Sequence, residues 1–234
     1  MPITPVKLFG TLTEADCINI QQTLAAQIQQ KNRLPLAEMK TIGGVDLAYW
    51  HNGAAEYAVC CIVILDIASG AILETAYAEG PVTFPYIPGC LAFRELPLVV
   101  EAAEKLRFQP DVYMFDGNGL LHPRHLGLAA HASFYLDRPA LGVAKTYFKV
   151  DGAEFIMPEN KAQAFTDITI GHSVWGRAVR THQNVKPIFL SVGNYLDLDT
   201  ATSLTLSLVD DRSHIPLPTR YADLETHKMR ALLK

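Results

Sequence analysis

Asp111-Val-Tyr-Met-Phe-Asp-Gly-Asn-Gly-Leu-Leu-His-Pro-Arg124 is the stretch that decides how the rest of the chain is interpreted. Its apolar run, residues 112–115, predicts a short buried strand that ends at Asp116, where a glycine-flanked turn begins. Open α/β sheets bind their ligands at the carboxyl ends of such strands. His122 and Arg124 follow in the same loop. A carboxylate, an imidazole and a guanidinium on one loop favour a site for a metal ion and a phosphate.

The chain around this strand alternates between strand-like and helix-like patterns. Three apolar segments precede it with short turns between them, which predicts consecutive antiparallel strands. A capping-box pattern at Thr11–Glu14 predicts an N-terminal packing helix to about Lys31. No repeat or linker interrupts the chain, so one domain, residues 1–234, is the simplest organisation. The other predicted elements are strands at 40–50, 56–66, 71–78, 112–116, 139–144, 168–180 and 186–192, a hairpin at 147–157, and helices around 96–106, at 124–136, at 197–208 and from 216 onward.

Composition limits the class of protein. The chain has 234 residues, of which 49% are hydrophobic and 19% charged, with a net charge of −4. This is a globular profile without a broad positive field, so a nucleic-acid partner would need a local basic patch and a metal ion. None of the four cysteines forms a CxxC pair, and Cys60 and Cys61 would point to opposite faces of a strand. Without a signal peptide or a membrane span, we expect a cytoplasmic protein that does not bind membranes.

Three acids stand where a metal site could form. Asp46 lies in the first predicted strand, Glu95 near the start of a helix, and Asp116 at the end of the fourth strand. If these two strands are parallel neighbours, Asp46 and Asp116 converge, and carboxylates held together need a cation between them. A bound Mg²⁺ would neutralise a scissile phosphate and lower the pKa of an attacking water. Two alternatives stay open: a structural hydrogen bond for Asp46, and a surface ion pair between Arg94 and Glu95.

Two further features border these acids. Lys145 ends a strand expected to run parallel to the one before Asp116, so its ammonium could reach the same edge and stabilise charge on a phosphate. His122 could orient water or contact the phosphate. The segment Pro85-Tyr86-Ile87-Pro88 is stiffened by its prolines and could wedge between bases. The alternative is a connection that buries Tyr86 against the core.

Several blocks of this chain together resemble the endonuclease V family. The similarity runs from Asp46 to Asp223, and the matching blocks are Gly44-Val-Asp-Leu-Ala-Tyr49, Pro85-Tyr-Ile-Pro-Gly-Cys-Leu-Ala-Phe-Arg-Glu95, Asp116-Gly-Asn-Gly-Leu-Leu-His-Pro-Arg124, Leu141-Gly-Val-Ala-Lys145 and Pro218-Thr-Arg220. The resemblance implies an α/β, ribonuclease H-like fold, with a central mixed β-sheet flanked by helices on both faces. It also implies a Mg²⁺-dependent DNA repair endonuclease, with Mn²⁺ as a substitute metal. Such an enzyme nicks the second phosphodiester bond 3′ to a deaminated purine, preferably deoxyinosine, and leaves 3′-hydroxyl and 5′-phosphate ends.

The resemblance also assigns roles to individual residues. Asp46, Asp116 and Glu95 match the metal ligands, and His122 and Lys145 complete the catalytic set near the scissile phosphate. Pro85, Tyr86, Ile87 and Pro88 match the DNA wedge. The lesion pocket is matched by Gly89, Leu91, Gly117 and Gly142. A secondary group is matched by Arg94, Arg124 and Asp223, and the resemblance places Asp223 where it could contact the metal or its waters. Two departures, Cys90 after Gly89 and His131-Ala-Ser in place of a glycine-containing turn, affect only the expected pocket shape.

The expected partner is DNA that carries deoxyinosine or another deaminated base, bound by a monomer. Hypoxanthine pairs less well than adenine does, so extruding it from the duplex costs less free energy than extruding a normal base. An inosine-specific endoribonuclease, acting on inosine-containing RNA, is the alternative enzyme. A non-catalytic lesion-binding protein is the alternative from another class.

Overall fold

A computed structural model describes residues 3–234, and strands from this range form one nine-stranded mixed sheet. The strands are β1 (Thr41–Asn52), β2 (Ala55–Asp66), β3 (Ile72–Pro81), β4 (Val112–Asp116), β5 (Ala140–Ala144), β6 (Ala153–Glu154), β7 (Ala164–Ile170), β8 (Ser173–Arg180) and β9 (Ile188–Val192). Their order across the sheet is β3-β2-β1-β4-β5-β9-β8-β7-β6. The central strands β1, β4 and β5 run parallel, whereas all other neighbours pair antiparallel. The three antiparallel strands predicted before residue 112 are confirmed.

Helices cover both faces of this sheet. They are α1 (Glu14–Ala25), α2 (Leu91–Glu104), α3 (Leu128–Leu136), α4 (Leu198–Ser207) and α5 (Leu217–Leu233). Alternate residues of β2 face opposite sides: Cys60 packs with α2 and α3, and Cys61 packs in the core under α4 and α5. The predicted helices on both faces and the opposite directions of the two cysteines are therefore confirmed. Within residues 3–234, none of the helices combines the length and apolarity needed to cross a bilayer.

Local turn chemistry shifts several predicted boundaries. The capping box is formed by Thr13 and Asp16, because Thr11 belongs to a preceding 3₁₀ turn, and α1 ends at Ala25. The long strand predicted at 168–180 is two strands, since the backbone reverses at Gly171 with φ +58°. The predicted hairpin at 147–157 is absent from the described part of the chain, because β6 pairs with β7 instead.

The helix predicted from Arg124 begins only at Leu128. His125 adopts φ +55°, which an α-helix cannot contain, and the Gly127 N–H donates to the Gly119 carbonyl at 2.8 Å. The residues between β4 and α3 therefore form a folded loop beside the sheet edge.

Two packing features bring distant acids together. The parallel register sets Val45 opposite Phe115. Asp46 and Asp116 are the next residues of these two neighbouring strands, so they lie side by side. Helix α5 lies close against β1 because Gly44 carries no side chain, and a Cβ atom there would overlap the Pro218 carbonyl. This close approach places the first turns of α5, including Asp223, over the same strand.

Candidate active site

Three aspartates from three elements form an acidic cluster at the edge of the sheet. Asp46 comes from β1, Asp116 from the end of β4 and Asp223 from α5, and each offers a carboxylate oxygen within 4.8 Å of the others. The Lys145 ammonium, directly after β5, lies 2.7 Å from Asp116 Oδ2 and 3.3 Å from Asp223 Oδ1. The strand directions thus bring this lysine to the edge where it was expected.

The electrostatics of this cluster fit a hard cation. Burial, followed by the charges of Asp116 and Asp223, raises the pKa of Asp46 to about 7. The Thr226 hydroxyl lies 3.2 Å from Asp46 Oδ2 and 2.9 Å from the Asp223 carbonyl, but it has one proton to donate. One hydroxyl and one ammonium therefore compensate only part of the negative charge of the three carboxylates. Several carboxylate oxygens close together form the donor set that Mg²⁺ and Mn²⁺ prefer.

Glu95, predicted as the third ligand, lies outside the three-aspartate group. Its buried Oε1 accepts a hydrogen bond from the Tyr49 hydroxyl at 2.6 Å. Burial raises the pKa of Glu95 to about 8, and the charges of Asp46 and Asp116 raise it further, while the Tyr49 hydrogen bond opposes them. Glu95 is therefore a neighbour of the cluster, and Asp223, which the sequence placed only in a secondary group, is a member.

Arg94 does not form the surface ion pair with Glu95 that was considered. It is buried, with its guanidinium 2.7 Å from Glu56 Oε2 and 2.8 Å from the Phe84 carbonyl. The surface-pair interpretation is wrong because helix α2 turns this side chain toward β2 and the segment that follows β3. Arg94 thereby holds the residues that lead into the proline-rich segment.

The proline-rich segment Pro85–Pro88 projects its aromatic residue into solvent. Tyr86 is 71% exposed, so the alternative that buries it in the core is wrong. Beneath it, Phe84 is buried against Phe93, which anchors the start of the segment. The Arg94 guanidinium lies 5.9 Å from the Tyr86 ring centroid, within range of a cation–π contact. The segment is a stiff, exposed tip on a buried base.

A cavity of about 200 Å³ opens directly below this tip. That volume is about seven times the ~30 Å³ that one water occupies in the liquid, which suits a small planar group. Gly89, Leu91 and Gly117, predicted as pocket residues, are among its lining. Gly142 is not: a Cβ atom there would overlap the Gly117 carbonyl, so this glycine lies beneath the loop and supports it. The complete lining is Gln21, Tyr86, Ile87, Gly89, Leu91, Ala92, Gly117, Asn118, His122, Leu126, Gly127, Leu128 and Phe148.

The sequence did not identify Asn118, Phe148 or Gln21 as members of this cavity. Asn118 sits between the two glycines of the loop, and its buried side-chain oxygen finds no hydrogen-bond partner among residues 3–234. A buried acceptor without a partner is costly unless a ligand or water donates to it. Its place between two glycines was the available signal. Phe148 stacks on His122, at 6.1 Å between ring centroids, from a segment predicted as a hairpin.

His122 is neutral and contacts the tip. The Arg124 N–H donates to its Nδ1 at 3.2 Å, so Nε2 carries the proton and donates to the Gly89 carbonyl at 3.0 Å. Burial, aided by Arg124, lowers the pKa of His122 to about 4. The Arg124 guanidinium also donates to the Gly89 carbonyl, at 2.7 Å. His122 thus lines the cavity, and both residues hold the Gly89 carbonyl at the end of the tip.

The two departures from the expected motif have structural positions. Cys90 is buried at the N-terminus of α2. His131 is buried inside α3, so no turn occurs there, and it packs against Phe9, Phe93 and Tyr135. Burial lowers the pKa of His131 to about 3, so this side chain is a neutral part of the core.

Comparisons with known proteins relate the whole chain to one family. The profile of the Endonuclease V family matches residues 22–224. Endonuclease V of Bacillus thuringiensis subsp. konkukian is 52% identical over 214 residues, which are 92% of this chain and 91% of that protein. The crystal structure of the Bacillus subtilis Endonuclease V has a TM-score of 0.93 at 45% identity, covering 100% of this chain and 98% of that one.

A more distant structure is Ciona intestinalis Endonuclease V in complex with a 24mer DNA containing an inosine followed by a ribo-adenosine. It has a TM-score of 0.82 at 24% identity over 94% of this chain and 98% of that one, and it therefore supports the fold alone. The sheet order, the helices on both faces and the family match confirm the predicted ribonuclease H-like fold. The chain belongs to the endonuclease V family and is a nuclease.

Proposed function

We propose that this chain is a Mg²⁺-dependent DNA repair endonuclease that recognises deaminated purines, with deoxyinosine as the preferred lesion. It nicks the second phosphodiester bond on the 3′ side of the lesion and leaves a 3′-hydroxyl and a 5′-phosphate. The damaged base stays in the strand. The activity belongs to one domain that acts as a monomer in the cytoplasm.

One observation carries this proposal: the acidic cluster and the cavity share a loop. Asp116 contributes its carboxylate to the cluster, and the next two residues, Gly117 and Asn118, line the cavity. A nucleic acid whose base enters the cavity would therefore pass its backbone close to the carboxylates. Separate places for the base and for the phosphate explain how an enzyme could cut beside a lesion without removing it.

The exposed tip supplies the step that opens the duplex. Tyr86 stands above the cavity and presents an aromatic ring at the end of a proline-stiffened segment. When a base leaves the stack, such a ring can fill the gap and stack on its neighbours. Extruding hypoxanthine costs less than extruding a normal base because it pairs less well. The tip and the cavity together favour bases that leave the helix easily.

Asp46, Asp116 and Asp223 would hold the metal ion, with Glu95 as a further carboxylate next to them. When bound, Mg²⁺ or Mn²⁺ supplies charge neutralisation at the phosphate and a lower pKa for an attacking water. Lys145 holds the Asp116 and Asp223 carboxylates in place, and its ammonium can face the negative charge that develops on the phosphate. His122, uncharged and bonded to Gly89, borders the cavity and can contact the substrate without adding charge.

The sugar beside the lesion defines the competing substrate class. The Ciona intestinalis relative was solved with DNA in which a ribo-adenosine follows the inosine. A strand of this kind, with a ribonucleotide beside the inosine, raises an inosine-specific endoribonuclease as the second candidate. The two candidates share the cavity and the acidic cluster, and differ only in the strand that is cut.

A nicking assay on matched duplexes tests the proposal. A labelled duplex with one deoxyinosine should be cut once, two bonds 3′ to the lesion, in Mg²⁺ and not in EDTA, whereas the matched adenine duplex stays intact. Asp116→Asn should abolish the cut, and Asp199→Asn, at an 85% exposed position outside the cluster, should not. Equal cutting of both duplexes would refute lesion recognition. Cutting only when a ribonucleotide follows the inosine would favour the ribonuclease, and tight binding without cutting would favour the non-catalytic protein.

A further inference from the structure

Three side chains donate hydrogen bonds to one backbone oxygen, the carbonyl of Gly89. The donors are Gln21 Nε2 at 2.8 Å, Arg124 Nη2 at 2.7 Å and His122 Nε2 at 3.0 Å. A carbonyl oxygen has two lone pairs, so three side-chain donors exceed its usual complement. The donors come from helix α1 and from the loop after β4. Two distant parts of the chain therefore hold this single atom.

Gly89 occupies the point where the tip joins the rest of the molecule. It follows Pro88, precedes helix α2, and has φ +78°, which favours glycine. Tyr86 is three residues before it, and Leu91 on the cavity lining is two residues after it. A fixed Gly89 carbonyl thus fixes the relation between the exposed ring and the cavity.

Gln21 is the member of this group that lies outside the matching sequence blocks. Its side chain is 1% exposed, and every polar atom of its amide is used. Oε1 accepts from Arg124 Nε at 2.6 Å, while Nε2 donates to the carbonyls of Gly89 and, at 3.3 Å, of Leu126. The opposite amide orientation would set donor against donor at Arg124. The amide therefore orients both the arginine and the carbonyl.

The sequence predicts α1 only as a packing helix. Its buried residues are Cys17, Gln21 and Leu24, spaced four and three apart. A glutamine on the buried face of a helix must be hydrogen-bonded, because an unpaired buried amide costs free energy. Here its partners are the anchor of the tip.

We infer that Gln21 is a positioning residue that holds Gly89, and through it the Tyr86 tip, at a fixed place above the cavity. This inference rests on the proposed function for its effect on catalysis, but the anchoring itself is independent of activity. Gln21 belongs to no part of the acidic cluster. Loss of its amide should therefore weaken capture of the lesion more than the chemistry, because a loosened tip must be ordered again on binding.

Gln21→Met removes the polar atoms at nearly constant volume, and Gln21→Glu keeps the acceptor for Arg124 while removing the donors. Gln22→Leu, at the exposed neighbouring position of α1, is the matched control. We expect amide hydrogen exchange at Cys90, whose N–H donates to the Ile87 carbonyl of the tip at 2.9 Å, to be about tenfold faster in both Gln21 variants, as the loss of about one hydrogen bond predicts. Exchange in the control should equal that of the wild-type protein.

The kinetic readout on the deoxyinosine duplex separates positioning from a general loss of structure. We expect KM to rise about tenfold with kcat within about twofold of wild type and with unchanged affinity for Mn²⁺ alone. Unaltered exchange at Cys90 in either Gln21 variant overturns the inference, as does an equal fall of kcat in the Gln21 variants and the control. If exchange accelerates but the wild-type protein does not nick, the proposed function fails while the anchoring stands.

Discussion

Replacing Asp223 with asparagine should weaken the metal site by an amount that the geometry sets. Its carboxylate oxygen lies within 4.8 Å of those of Asp46 and Asp116. A divalent cation and one carboxylate at that separation attract by about 7 kcal/mol at an effective dielectric constant of 20, and the loss of repulsion between Asp223 and the other two carboxylates offsets most of this attraction. Because the Asp223 side chain is 37% exposed, solvent screening reduces its contribution to about 1–2 kcal/mol. Asp223→Asn should therefore lower Mn²⁺ affinity about 5- to 30-fold.

Isothermal titration calorimetry with Mn²⁺ alone measures this effect without a substrate. The asparagine keeps the shape of the side chain, so the melting temperature without metal should not fall. Asp199→Asn is the control, since this carboxylate is 85% exposed and pairs with Arg177 outside the cluster. Wild-type affinity in Asp223→Asn, or an equal loss in Asp199→Asn, would refute the assignment of Asp223 to the metal site.

Three further predictions concern the tip, the acids and the packing of α5. Tyr86→Ala should leave the melting temperature unchanged but lower the rate of nicking at deoxyinosine by about 5- to 150-fold, because base stacking on one ring is worth about 1–3 kcal/mol. An unchanged rate would refute the role of Tyr86 as a wedge. Burial raises the pKa of Asp46 from 3.8 to about 7 and that of Glu95 from 4.5 to about 8, so the folded protein holds protons that the unfolded chain releases. The stability contributed by this proton binding is fully present below about pH 4 and is lost as the pH rises through 7 to 8. The melting temperature without metal should therefore fall as the pH is raised from about 4 to 8, and it should fall less in Asp46→Asn. A melting temperature that rises with pH over this range would contradict the two pKa shifts. Gly44→Ala should destabilise the fold by about 3 kcal/mol in urea unfolding and reduce Mn²⁺ affinity, because the added methyl group meets the Pro218 carbonyl; wild-type values would show that α5 does not depend on this contact.

The parts of the site that the sequence predicts are those with a local signature. Asp116 ends a run of apolar residues and meets a glycine, which is how a buried parallel strand reaches a ligand site. The prolines on either side of Tyr86 and Ile87 are also a local signature, because they restrict the backbone and so indicate a rigid tip. The parallel pairing of β1 with β4 was a hypothesis that the apolar character of both segments favours, and the structure confirms it.

The missing parts depend on contacts between distant segments. Asp223 joins the cluster because α5 docks over Gly44; the family resemblance placed it near the metal, but the residues around it carry no local pattern that indicates this docking. Gln21 resembles any other glutamine of a polar helix until α1 is placed against Gly89. Gly142 was assigned to the pocket through the family resemblance, yet the loop after β4 packs directly on it. Such contacts form only when segments that are distant in the sequence pack together in the tertiary structure.

Central to the proposed function is the loop at residues 116–118, which joins the metal site to the base cavity. The most direct test is a crystal structure of the protein with Mn²⁺ and a deoxyinosine oligonucleotide, read by anomalous scattering from the metal. We predict an anomalous peak among the carboxylates of Asp46, Asp116 and Asp223, with the extruded hypoxanthine next to Gly117 and Asn118 and the Tyr86 ring in the gap it leaves. A metal bound elsewhere, or a hypoxanthine that stays stacked in the duplex, would contradict the account.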